Sequence, residues 1–215
     1  MTNAMVNKSM ANNMEEKISF KSDGFQLQGL LYRAGKKGVV VTHPHPLYGG
    51  SMHNPVVETI TETFQHQGYT TLRFNFRGVG ASQGMYDDGA GEKRDVCQAL
   101  ACLEQMNFEK ACLAGYSFGA WVNTQIPLEE VSTEALVMVS PPVAFIDFEP
   151  MQKIPNLKLV VTGSRDDIAP VHMIREKLPS WNPASPFEII AGADHFYSGY
   201  TDSLASSLMT HIETI

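Results

Sequence analysis

The chain has 215 residues, 43% of them hydrophobic and 18% charged, and a formal net charge of −7. That length accommodates one domain with a substantial core, and the balance of apolar to charged residues excludes a disordered chain. No apolar run approaches the roughly 20 residues of a membrane span, and no basic surplus is available for phosphate backbones or anionic lipid, so neither nucleic acid nor membrane is expected as a partner.

Residues 1–16 are polar and rich in Asn and Met, without the basic end and apolar centre of a secretory signal. They read as a flexible tail before a single domain over residues 17–215, in a cytoplasmic protein. Residues 18–22 and 25–32 alternate apolar and polar side chains around Asp23-Gly24, a two-residue hairpin signal, so the domain opens with an antiparallel pair. Residues 39–42 are a continuous β-branched run, as in a strand covered on both faces. Similar runs recur at 70–76, 111–114, 135–139, 157–162 and 187–190, with helix-length segments at 55–67, 92–105, 118–125, 171–178 and 199–212. This alternation predicts an α/β fold: a mainly parallel central sheet of about seven or eight strands, with helices on both faces. Residues 140–156 hold four prolines and no long helical pattern, which leaves a minimal cap or none. Cys97, Cys102 and Cys112 are odd in number and form no CxxC pair, so they read as buried thiols in a reducing compartment.

In open α/β sheets ligands bind beyond the carboxyl ends of the strands, and the loops there hold the unusual residues. The run 111–114 leads into Gly115-Tyr116-Ser117-Phe118-Gly119 and then a helical stretch, the strand–turn–helix setting that a nucleophile elbow requires. The plain alternative is a tight turn with a helix-capping serine. A serine nucleophile needs a base and a carboxylate to orient that base. Downstream, Asp166 and Asp167 follow the run 157–162, and His195 follows the run 187–190. Capping of the next helix is the competing role for either Asp, and a loop histidine that merely satisfies its neighbours is the competing role for His195. His172 and His211 are weaker candidates for the base, and Asp194 reads as a turn residue.

Acyl transfer also needs donors aimed at the oxyanion; one is expected from the Phe118 N–H and a second from the loop 42–51. Pro44 and Pro46 have no N–H, which leaves His45 or Leu47. A metal site on His43, His45 and His53 lacks a matching carboxylate and leaves the serine elbow unexplained, so no metal is expected. The glycines of 78–84 read as a structural loop, with Arg77 paired to Asp95 or Glu92, and Asp87-Asp88 as a solvated turn. Tyr48, Phe145 and Phe196 are expected to border a substrate pocket, whereas Trp121 fits ordinary core packing as well as a pocket wall.

The segments HPHPLYGGSMHNPVV, GYTTLRFNFRGVGASQG, GYSFGA, TGSRDDIAP and GADHFYSG together resemble the α/β-hydrolase superfamily. They are similar to its small, lidless serine hydrolases and to dienelactone hydrolases, with Ser where the latter carry Cys. The resemblance implies Ser117 as nucleophile, His195 as base and, from the stretch Gly163-x-x-Asp166-x-x-x-Pro170, Asp166 as the acid. It implies Phe118 and the His45 region as the oxyanion hole, with the usual His-Gly replaced by His-Pro-His-Pro, and no cofactor. The expected reaction is hydrolysis of a carboxylic ester or thioester of a small or soluble substrate through an acyl-enzyme, by a monomer or homodimer. A peptidase or amidase would need an acidic subsite for an amine, and none is evident in these loops. A binding module without catalysis would be marked by a missing triad member, and none is missing.

Overall fold

The computed structural model describes residues 14–106, 108, 110–127, 133–148 and 153–213. Strands β1 (Glu16–Ser22) and β2 (Phe25–Tyr32) form an antiparallel hairpin that turns on Asp23 and Gly24, both at positive φ (49° and 85°). Strands β3 (Lys37–Thr42), β4 (Thr70–Phe74), β5 (Lys110–Tyr116), β6 (Ala135–Val139), β7 (Leu157–Gly163) and β8 (Phe187–Ile190) are mutually parallel, and β2 joins β4 antiparallel. The order across the eight-stranded sheet is β1-β2-β4-β3-β5-β6-β7-β8. Succession from β3 to β4 runs one way and from β5 onward the other, so the sheet reverses direction between β3 and β5, where a crevice opens beyond the strand ends.

Helices cover both faces because successive side chains of a strand point to opposite sides. Val39 and Val41 of β3 pack with helices α1 (Pro55–His66) and α5 (Thr201–Ile212) through Val57, Ile60, Leu204 and Leu208. Val40 faces the other cluster with α2 (Ala90–Glu104), α3 (Phe118–Thr124) and α4 (Val171–Trp181), through Val96, Leu100, Val122 and Ile174. All of these side chains are essentially inaccessible. At about 1.5–3 kcal/mol for each fully buried side chain of this size, the two layers dominate the drive to fold. Among the described residues no helix is long and apolar enough to cross a membrane.

Several element ends differ from the sequence reading. β4 stops at Phe74 because the Asn75 amide donates to Gln28 O of β2 at 2.9 Å and the Phe76 amide to His43 Nε2 at 3.0 Å. α2 starts two residues early, at Ala90, with the Glu92 carboxylate accepting from the Asp87 and Gly89 amides (3.0 and 2.8 Å). α4 continues through Pro179 to Trp181, where a hydrogen bond from Asn182 N to Leu178 O (3.0 Å) closes the turn. Cys112 is buried, whereas Cys97 and Cys102 are half-buried on α2. Of the expected tail, residues 1–13 lie outside the described residues. Glu16 belongs to β1, and Glu15 accepts from Arg73 Nε and Nη2 (2.9 and 2.5 Å), with Glu58 on the same guanidinium. Of the two partners open to Arg77, Asp95 takes the guanidinium, with an Nη2–Oδ1 distance of 2.6 Å, and both side chains are buried. Asp23 adds a second contact at 3.0 Å, which ties the opening hairpin to α2.

Candidate active site

Ser117 sits between β5 and α3 with φ 55° and ψ −121°, a conformation that costs a non-glycine residue about 1–3 kcal/mol. The surroundings hold it there. A Cβ on Gly115 would lie 2.6 Å from Ala120 N, and one on Gly119 would lie 2.7 Å from His43 O, so the turn closes only with glycine on either side. The Ser117 amide donates to Val139 O of β6 at 2.9 Å.

Asp166 follows β7. Its Oδ1 accepts from the Ile168 and Ala169 amides (2.9 and 2.7 Å), and Thr162 Oγ1 approaches Oδ2 at 3.3 Å. Burial pushes this carboxyl up, but the hydrogen bond and charge of His195, the Ala169 amide and Ser140 outweigh it, so its pKa lies below the ordinary value. Asp167 is exposed, and the N-cap of α4 is Pro170, so Asp167 does not cap that helix.

His195 lies in the loop after β8. Its Nδ1 is 2.9 Å from Asp166 Oδ2 and its Nε2 is 3.0 Å from Ser117 Oγ. A carboxylate only accepts, so the proton belongs on Nδ1, and Nε2 is the acceptor for the serine hydroxyl. Tyr116 Oη donates to His195 O at 2.8 Å, and Tyr197 shares a hydrogen bond with Ser140 at 2.8 Å, so two buried tyrosines hold the loop down. Asp194 Oδ1 accepts from Phe196 N (3.0 Å), the turn role expected of it. His172 is exposed on α4 and His211 pairs with Glu188 at 3.0 Å; neither borders the cavity at Ser117.

The loop after β3 is set by two histidines. His43 is fully buried; its Nε2 accepts from Phe76 N, so the proton is on Nδ1, which donates to Pro44 O at 2.6 Å. Burial lowers its pKa to about 4. His45 Nδ1 accepts from Leu47 N (3.2 Å) and caps the short 3-10 turn Pro46–Tyr48, and its Nε2 meets Tyr86 Oη at 3.1 Å. The ring nitrogens of both residues therefore have protein partners, while His53 is largely exposed, 3.7 Å from Glu58. Leu47 was one of two candidates for the second oxyanion donor, and it fails: its N–H is held by the His45 imidazole, and its side chain is exposed outside the cavity. His45, the other candidate, does line the cavity. Phe118 is the first residue of α3, so its amide has no partner within the helix.

A cavity of about 840 Å³ opens over Ser117 and His195. Tyr48, Phe145 and Phe196 border it, all largely exposed at its rim. Trp121 lines the wall, and so do Tyr86, Asp88, Ile146 and Asp147, which the sequence reading did not assign to the site. The signal for Tyr86 and Asp88 was their position in the long connection after β4, at the same end of the sheet; Asp87-Asp88 read only as solvent-facing turn residues.

No protein-family model matches the chain. An uncharacterized protein of Rickettsia prowazekii is 34% identical over 186 residues, which cover 82% of this chain and 78% of that protein. Among solved structures, an α/β serine hydrolase homologue from Coxiella burnetii superposes with a TM-score of 0.85 at 32% identity, covering 91% of this chain and 96% of its own. A serine hydrolase without a lid from Xanthomonas campestris superposes with a TM-score of 0.86 at 25% identity, covering 95% and 96%. With this extent of shared fold and sequence, the chain belongs to the α/β serine hydrolases.

Proposed function

We propose that the protein, folded as a single domain that includes β1 from Glu16, hydrolyses a carboxylic ester or thioester of a small or soluble substrate through an acyl-enzyme on Ser117. The observation that carries this reading is the unbroken hydrogen-bonded chain from Ser117 Oγ through His195 to Asp166, with its serine end facing an open cavity. As Ser117 Oγ attacks the carbonyl carbon, His195 Nε2 takes the hydroxyl proton and the carbonyl electrons move to oxygen. The Phe118 and His45 amides donate to that oxyanion, a contribution of roughly 100- to 1,000-fold per donor in other hydrolases. Asp166 holds the imidazole in the accepting tautomer and stabilises its cation. His195 then returns the proton to the leaving alcohol or thiol. Water, deprotonated by the same imidazole, cleaves the acyl-enzyme and frees Ser117.

The test is labelling by a fluorophosphonate, run beside hydrolysis of p-nitrophenyl esters of increasing acyl length. Wild type is expected to label, and Ser117→Ala and His195→Ala to lose labelling while keeping their circular dichroism spectra. Rates are expected to fall for acyl chains beyond about ten carbons, which need a long apolar cleft. Ester cleavage retained by Ser117→Ala would refute the assignment.

A further inference from the structure

We infer that the ester or thioester turned over at Ser117 carries a positively charged group, an ammonium that lies against the cavity wall formed by His45, Tyr86 and Trp121 beside Asp88. This rests on the proposed hydrolase reading and adds the charge class of the substrate.

The charge of the cavity is one-sided. Among the described residues that line it there is no Lys or Arg, and two carboxylates, Asp88 and Asp147, stand at its edge. His45 adds no positive charge, because its Nδ1 must stay unprotonated to accept the Leu47 N–H. An anionic substrate, such as an ester with a free carboxylate or a thioester bearing phosphates, finds no guanidinium or ammonium here to receive it. The long-range field points the same way, since a chain of net charge −7 attracts cations and repels anions before contact.

The wall supplies the second half of cation recognition. The His45 ring centroid lies 4.9 Å from that of Tyr86 and 4.8 Å from that of Phe118, and Phe118 in turn lies 5.5 Å from Trp121. The rings form one continuous aromatic series along the cavity wall. Aromatic faces attract ammonium groups, Trp most strongly, and the attraction grows as water is excluded. Asp88 stands against this surface. It turns at positive φ (47°) into Gly89, whose backbone rests on Trp121 so closely that a Cβ would come within 2.4 Å of the ring. Its charge is also felt at neighbouring groups: burial, with Asp88 adding to it, pushes the Tyr86 hydroxyl up to about 12. A carboxylate at the margin of an aromatic surface holds a cation better than either part does alone, whereas a neutral group of the same shape gains only apolar contact.

The experiment compares acetylthiocholine with its uncharged isostere, S-(3,3-dimethylbutyl) thioacetate, and with the anionic 3-(acetylthio)propionate, following thiol release by wild type and Asp88→Asn at low and high salt. Wild type is expected to favour the cationic thioester over the neutral one by about tenfold in kcat/KM, with the anionic one slowest. Asp88→Asn is expected to reduce the ratio of cationic to neutral to about threefold, and salt to lower it in wild type. Ratios within twofold of one another, or a ratio unchanged in Asp88→Asn, overturn the inference while leaving the hydrolase reading intact. If none of the thioesters is cleaved, the hydrolase reading is decided by fluorophosphonate labelling of Ser117. The inference is then decided by quenching of Trp121 fluorescence in a Trp181→Phe background: choline quenching at tenfold lower concentration than 3,3-dimethylbutanol supports a cation site, and equal quenching refutes it.

Discussion

The buried neutral imidazole of His43 makes the fold acid-sensitive in a pH window of its own. In the native protein its pKa is lowered to about 4 by complete burial, against an ordinary value of 6.5. Below about pH 6.5 the unfolded chain therefore takes up a proton that the native chain refuses until about pH 4, and stability falls as pH falls between those values. Fully developed, the difference corresponds to roughly 3 kcal/mol, and about 2 kcal/mol of it is reached by pH 5. For a chain of this length that is a drop in Tm of about 4–8 °C between pH 7 and pH 5. Asp166 contributes with the same sign but in a lower pH range. Its depressed pKa gives stability that is complete above its unfolded value and is lost only as pH falls below about 4, outside this window. Thermal melts of wild type and His43→Gln at pH 7, 6 and 5 isolate the histidine. The glutamine carbonyl can still accept from Phe76 N–H but cannot be protonated, so the variant starts about 1–3 kcal/mol less stable at pH 7 and loses about 2 kcal/mol less on acidification. Equal pH slopes for the two proteins would refute the reasoning.

Two further substitutions probe the same structure. Asp166→Asn turns an amide donor towards His195 Nδ1 and forces the wrong tautomer, so kcat/KM on a p-nitrophenyl ester is expected to fall by roughly 10,000-fold, whereas exposed Asp167→Asn should change it less than about threefold. Similar losses in the two variants would overturn the assignment of the acid. Arg77→Met leaves the fully buried Asp95 carboxylate without its guanidinium and is expected to cost about 3–5 kcal/mol, measured as a lower guanidinium chloride midpoint, with much of the loss recovered in Arg77→Met/Asp95→Leu. A midpoint unchanged in the single variant would show that the pair contributes nothing to stability.

The strands were legible because the parallel strands are short runs of small, apolar and often β-branched residues closed by glycine or a turn, and burial on both faces leaves little room for other patterns. Helix limits were less so. The start of α2 depends on Glu92 reaching back to two amides, and the end of α4 on a proline tolerated in its last turn; neither follows from periodicity. In the site, Ser117, His195 and Asp166 stood out because each follows a strand at one end of the sheet, and the structure brings these three side chains into contact. The choice between His45 and Leu47 was hidden because it turns on which amide an imidazole captures. Asp88 and Tyr86 were hidden for a related reason. Their connection packs against His45 and Trp121, which are distant in the chain, so a turn that reads as solvated becomes part of the cavity wall.

The exposed rim of Tyr48, Phe145 and Phe196 bears on the fate of the acyl group as well as on substrate entry. Under the proposed mechanism an acyl-enzyme formed beneath so open a mouth meets bulk solvent, and among the described residues no closing element holds a chosen acceptor in the place of water. Under the proposed mechanism an added alcohol or amine then competes only by its concentration and nucleophilicity, so acyl transfer to it would need molar amounts. On that mechanism the partition of product between acid and transferred ester would be set by the exposed rim, in favour of hydrolysis.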